Sequence, residues 1–166
     1  MQPIKIVGID PGLASTGIGV ITGMRDKVQS YAFGAVHTHA RESTPCRLSL
    51  IHSRLLSLFQ SEKPDLVIIE DIFSQDRFPQ SGITLGKVCG VILLAGHQTG
   101  IAIKEIPVRE AKQILTGSGN AGKEQLETAV RKILGAPQPI RPFHASDALG
   151  LALIGLFRYV GGTRVC

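Results

Sequence analysis

Three cysteines occur in the 166 residues, Cys46, Cys89 and Cys166. The number is odd and no CxxC pair is present. This excludes a disulfide framework and a cysteine-based zinc site, and fits a reducing compartment. No long hydrophobic run occurs. The longest, around Val88 to Ala95, falls far short of the roughly 20 residues that a membrane-spanning helix needs. The N-terminus has neither a basic region nor a small-residue cleavage site and runs straight into Ile4–Ile9, so the expectation is a cytoplasmic protein without a membrane partner. Walker A and Gly-x-Ser-x-Gly patterns are absent, which removes the P-loop and the acyl-transfer elbow. Tryptophan is absent and aromatics number eight.

What is present describes one folded domain, residues 1–166. Hydrophobic residues make up 43% and charged residues 19%, a composition that buries a core. The length leaves no room for two lobes around a cleft. The formal net charge is +5, which favours a polyanionic partner. That charge is unevenly spread. Residues 1–60 carry net +3, residues 61–100 net −2, residues 101–141 net +3 and the remainder net +1. A protein that merely coats DNA has little use for an acidic centre.

Short β-branched runs at Ile4–Asp10, Gly17–Ile21 and Val28–Val36, separated by close turns, predict an antiparallel meander. Thr44-Pro45 opens a helix carrying Leu48, Ile51, Leu55, Leu58 and Phe59 at helical spacing. Strands are then expected at Asp65–Glu70 and Ile101–Ile106, with an apolar helix over Gly82–Thr99 between them, stopped by Gly100. Helices are expected at Val108–Thr116, Lys123–Leu134 and Ala145–Tyr159. The order β-β-β-α-β-α-β-α-α-α predicts an α/β fold: a mixed five-stranded sheet, antiparallel meander first and parallel strands after, with helices on both faces.

Asp10 ends the first strand and Glu70 the fourth. If those strands are parallel neighbours, both carboxylates emerge at one sheet edge, where open α/β sheets place their sites. His144 and Asp147 lie three apart at the start of the last helix and share a face. Three carboxylates brought together repel one another, and a divalent cation such as Mg²⁺ or Mn²⁺ relieves that repulsion. Two such ions about 4 Å apart can clamp both oxygens of a phosphodiester exchange. Each residue also has a plainer reading. Asp10 before Pro-Gly is a turn former, Glu70 a strand exit, Asp147 a helix-dipole group and His144 a helix-start residue. The 11–17 turn is equally a hairpin or a phosphate-approaching loop. Lys123 opens a helix after a Gly-rich connection and Lys112 lies one helix earlier; each is a phosphate partner or a solvated cation. Phe73 and Phe78 share a polar loop with Arg77, as core plugs or as rings that stack on an unpaired base.

These residues, taken in order, carry a resemblance. Gly8-Ile9-Asp10-Pro11-Gly12 with Gly17 and Gly19-Val20, then Ile68-Ile69-Glu70 with Phe73, Leu85-Gly86 with Gly90-Val91, Lys112-Gln113, Gly117-x-Gly119-x-Ala121-x-Lys123 and His144-Ala145-Ser146-Asp147-Ala148-Leu149 together resemble the RuvC family of Holliday-junction resolvases. The resemblance covers almost the whole chain. It implies a ribonuclease-H-like fold and a homodimer that cuts four-way DNA junctions by paired symmetric nicks, in recombination and DNA repair. It implies Mg²⁺, replaceable by Mn²⁺ and two per site, at Asp10, Glu70, His144 and Asp147, with His144 a ligand or a proton shuttle. Lys123 then belongs to the catalytic set by stabilising transition-state charge. Phe73, Arg77, Lys112 and Lys123 face nucleic acid, and RuvA and RuvB are the implied partners. The 74–83 loop departs from the pattern: it is about one residue longer and lacks the usual Asn. Three rivals remain: an actin-like phosphotransferase, a non-catalytic junction-binding module, and a small nuclease of the same fold acting on RNA.

Overall fold

The computed structural model describes residues 2–24, 27–71 and 79–159. Phe73, Arg77 and Phe78 lie outside them. Ten elements follow in chain order: β1 (Ile4–Asp10), β2 (Ser15–Met24), β3 (Lys27–His37), α1 (Thr44–Glu62), β4 (Leu66–Asp71), α2 (Pro79–Thr99), β5 (Ile103–Pro107), α3 (Val108–Thr116), α4 (Lys123–Leu134) and α5 (Phe143–Tyr159). The sheet order is β3-β2-β1-β4-β5. β1 pairs antiparallel with β2 and parallel with β4, and β4 pairs parallel with β5. This is the expected meander followed by crossover strands.

Side chains alternate across each strand, so parity decides what faces what. Val7 and Ile9 of β1 and Val67 and Ile69 of β4 pack with Ile51, Leu55 and Phe59 of α1 and Val88, Ile92 and Ala95 of α2. Ile6 and Ile68 face the other way, into a second core half formed with α3, α4 and α5. Asp10 and Glu70 share that second parity.

α5 is the central element. Nearly every residue from Ala145 to Leu156 is buried. The sheet receives it on glycines. A Cβ on Gly8 would stand 1.9 Å from the Ala148 carbonyl oxygen, on Gly17 2.0 Å from that of His144, and on Gly19 2.5 Å from the Leu149 nitrogen. Gly8 and Gly19 are cross-strand partners, as are Asp10 and Gly17. Backbone therefore packs directly on backbone, and the start of α5 is set down beside Asp10.

Several ends differ from the sequence reading. β2 runs ten residues, because Thr22 and Gly23 stay paired with β3 through a bulge. α5 begins two residues earlier, at Phe143, because the Pro142 carbonyl already accepts the Ala145 N–H at 2.9 Å. His144 thus belongs to the first helical turn. α1 stops at Lys63, which adopts a left-handed φ of 47° before Pro64. Gly100 takes a φ of 69° after α2, as a helix stop requires.

Candidate active site

The carboxyl ends of β1 and β4 deliver the first two acidic groups. The register pairs Ile9 with Ile69, so Asp10 and Glu70 follow side by side on the α5 face. The first turn of α5 adds His144 and Asp147. Lys112 comes from α3, and Lys123 from the first residue of α4. All six line one cavity of about 610 Å³, completed by Leu13, Thr84, Leu85, Val108, Leu126 and Leu151. The sequence reading brought these six polar residues together. It missed the apolar half of the wall, because a Leu at a helix edge carries no signal that separates it from core.

Asp10 is 7% exposed. Its Oδ2 stands 2.5 Å from Nδ1 of His144. That hydrogen bond raises the His144 pKa, with burial opposing it. Glu70 is pushed up to about 8, first by burial, then by the charge of Asp10 and a hydrogen bond shared with it, with Asp147 adding to the effect. Asp147 is pushed up to about 6 by burial and by Asp10, against the pull of Lys123, His144 and Lys112. Each charge therefore suppresses its neighbours. Such a cluster holds protons, or cations in their place.

The donor set fits a hard divalent cation: three carboxylates, one imidazole, and an Asp147 Oδ1 that is buried without a hydrogen-bond partner among the described residues. Among the described residues, however, no three His, Cys, Asp or Glu side chains are gathered into a closed ligand cluster. Asp10 is held by His144 and Glu70 instead, so an ion has to replace those hydrogen bonds.

Lys123 is fixed by its approach loop. The Gln113 side chain spans that loop, Nε2 donating to the Gly117 carbonyl at 2.8 Å and Oε1 accepting from the Gly119 N–H at 3.0 Å. Gln125 Oε1 accepts from the Gly122 N–H at 2.9 Å. The 11–17 segment is a hairpin turn, closed by the Thr16 hydroxyl donating to the Gly12 carbonyl at 2.8 Å. Cys89 is packed on α2, where burial above all pushes its thiol up to about 12, leaving it protonated and inert.

Residues 6–155 match the family model described as crossover junction endodeoxyribonuclease RuvC. A protein of that name from Syntrophomonas wolfei is 38% identical over 156 residues, spanning 94% of this chain and 90% of its own. One from Chlorobium phaeovibrioides is also 38% identical, over 96% of this chain and 84% of its own. The solved Thermus thermophilus RuvC in complex with a Holliday junction substrate superposes with a TM-score of 0.87, at 31% identity and 95% coverage of both chains.

Proposed function

The chain belongs to the RuvC family of crossover junction endodeoxyribonucleases, and from that membership we propose that residues 1–166 form one nuclease domain resolving four-way DNA junctions by paired nicks in recombination and repair. The observation that carries the reading is the convergence of Asp10, Glu70, His144 and Asp147 with Lys112 and Lys123 around one cavity.

Asp10, Glu70, Asp147 and His144 would hold Mg²⁺, or Mn²⁺ in its place, as two ions. When bound, these ions neutralise the scissile phosphate and acidify the attacking water. In the reaction one P–O bond of the backbone is exchanged for a P–O bond from water. Lys123 faces the charge that builds on the phosphoryl oxygens, in a cavity whose apolar wall strengthens the interaction. Lys112 holds a phosphate from the adjoining helix. Once its hydrogen bond to Asp10 gives way, the His144 ring would bind an ion or carry a proton. Phe73 and Arg77, which follow β4 in the sequence, would contact the junction in this reading.

A homodimer supplies the second cut. α2 buries Val88, Ile92 and Ala95 but leaves Ile83, Leu93 and Leu94 at 62%, 42% and 49% exposed. Gly86 and Gly90 open the same side, with no described residue beyond their helix neighbours within 4 Å of a Cβ built on either. An apolar stripe with two glycines suits close packing against a second copy of α2. Sedimentation is expected to give a dimer at micromolar concentration for the wild type and a monomer for Leu94→Glu. A Leu94→Glu dimer would remove this face from the interface. RuvA and RuvB are the partners that family membership implies, and the cytoplasm is the matching compartment.

The cluster also predicts how stability depends on pH. Glu70, Asp147 and His144 all have raised pKa values. Their stabilising contribution is complete below the unfolded carboxylate values and is lost as pH climbs toward 8. Divalent cations prefer the ionised carboxylates. The rise in Tm on adding Mg²⁺ should therefore be larger at pH 8.5 than at pH 5.5, at about 2–4 °C per kcal/mol for a chain of this length. An equal rise at both pH values would argue against ion binding at these carboxylates. The function itself is tested by incubating the protein with a synthetic four-way junction, a linear duplex and an RNA hairpin, with and without Mg²⁺. Symmetric nicks in the junction alone, and only with metal, are expected. Cutting of the RNA alone would favour the ribonuclease alternative.

A further inference from the structure

We propose that Glu127, in the interior of α4, is a positioning residue that sets where His144 and Asp147 arrive at the site. This rests on the site assigned above. Glu127 is 4% exposed, a buried carboxylate on a helix whose neighbouring faces meet solvent. Its Oε1 accepts the Ile140 backbone N–H at 2.9 Å in a buried contact. Arg131 Nε stands 3.3 Å from the same oxygen, but makes no hydrogen bond there. A carboxylate is costly to bury, and a hydrophobic residue of similar size would fill this volume at lower cost. What the carboxylate adds is an acceptor for one backbone donor.

That donor is well placed to matter. Ile140 is itself 1% exposed and packs in the core half that includes Leu126, Val130 and Ala145. His144 follows four residues later. Between them the chain is short and braced: Arg141 Nη1 donates to the Ile140 carbonyl at 3.1 Å, the Arg141 guanidinium lies 4.1 Å from the centre of the Phe143 ring, and the Pro142 carbonyl accepts the Ala145 N–H. Fixing Ile140 therefore fixes the first turn of α5. Glu127 also lies one turn after Lys123, at the i,i+4 spacing that puts both on one side of α4. A single helix turn thus carries the cation of the site at one end and the anchor of its imidazole and third carboxylate at the other. Glu127 links the spacing of Lys123 to that of His144 and Asp147.

The discriminating pair is Glu127→Gln and Glu127→Met. Both lose the charge that faces Arg131, both fill the same volume, and only Gln keeps an oxygen for Ile140. Single-turnover nicking of a saturating four-way junction is measured across a Mg²⁺ titration, beside junction affinity without divalent metal. The Mg²⁺ concentration for half-maximal rate is expected to rise about 10–100-fold in Glu127→Met, the size of effect typical for groups that orient metal ligands. Glu127→Gln should stay close to wild type, and junction affinity should hold in both. Leu55→Val, in the opposite core half, serves as a control that lowers Tm without touching the loop. Equal metal requirements for Gln and Met would overturn the proposal, as would a Leu55→Val variant whose metal requirement rises as much. If Glu127→Met fails to fold, amide hydrogen exchange in wild type and Glu127→Gln decides: Ile140 should be protected in both, and fast exchange there overturns the proposal. A wild type that does not nick with Mg²⁺ would instead overturn the site reading, independently of Glu127.

Discussion

Asp10→Asn is expected to abolish paired nicking while leaving the protein folded, able to bind a junction, and more heat-stable at pH 8 than the wild type. Asn matches Asp in shape and keeps one oxygen for the ring nitrogen of His144, 2.5 Å away in the wild type. What it loses is the charge at the centre of the cluster. The carboxylate of Asp10, beside burial, raises the pKa of both Glu70 and Asp147. Without it, both neighbours ionise more easily and the repulsion that destabilises the fold at high pH declines. The same charge is the one a divalent cation needs most, because Asp10 lies between Glu70 on one side and His144 on the other. A loss of about a thousandfold in nicking, roughly 4 kcal/mol of barrier, is expected. Nicking by a labelled-junction assay and Tm by calorimetry, both at pH 8, read the two effects. Wild-type nicking would sink the assignment of Asp10. A lower Tm would show instead that Asp10 stabilises the fold, contrary to the repulsion argument.

The part of this site legible in the sequence is the part that local rules govern. A strand that ends in an acidic residue, repeated at Asp10 and Glu70, and a three-residue spacing between His144 and Asp147 place four groups at element ends. Strand parity then puts the first two on one face. Two features were out of reach. The all-round apolar character of Gly82–Thr99 suits a face for a second copy of the chain, but not which residues form it: α2 leaves Ile83, Leu93 and Leu94 exposed, and the helix buried on nearly every side is α5. Hydrophobic content alone cannot tell a buried side from a stripe awaiting another chain, since Ile92 and Leu93 are chemically alike and only the first is buried. The second is the glycine bed of β1 and β2. Gly8, Gly17 and Gly19 read as turn and strand punctuation. Their physical role depends on a helix more than a hundred residues away, and no local pattern announces it. Glu127 is illegible for the same reason: an acidic residue in an amphipathic helix reads as solvated until Ile140 is seen on it.

Gly17→Ala tests that bed where it touches the site. The added Cβ would stand 2.0 Å from the carbonyl oxygen of His144 and 2.4 Å from its carbonyl carbon. Both are backbone atoms of a helix that is buried along most of its length, so no flexible side chain can give way. Either the first turn of α5 lifts or β2 moves out, and β2 is held on both sides, by β1 and by β3. The helix start is the softer of the two, because the long register of β2 with β3 resists any shift. Lifting it by even one ångström carries His144 off Asp10 and Asp147 away from the carboxylates of the strands. Overpacking of this kind costs about 1–3 kcal/mol of stability. The loss of function should be larger in proportion, since a misplacement of about 1 Å can cost on the order of a hundredfold in rate. Nicking is thus expected to fall by about two orders of magnitude at a temperature where circular dichroism shows the variant folded, with junction affinity near that of the wild type. Gly34→Ala makes the comparison, because it changes the same residue type on β3 with no described residue beyond its chain neighbours within 4 Å of the new Cβ; its nicking should be unchanged. If Gly17→Ala kept wild-type activity, the contact between β2 and α5 would be elastic enough to absorb a methyl group. The geometry of His144 and Asp147 would then be set from the loop and α4 rather than from the sheet.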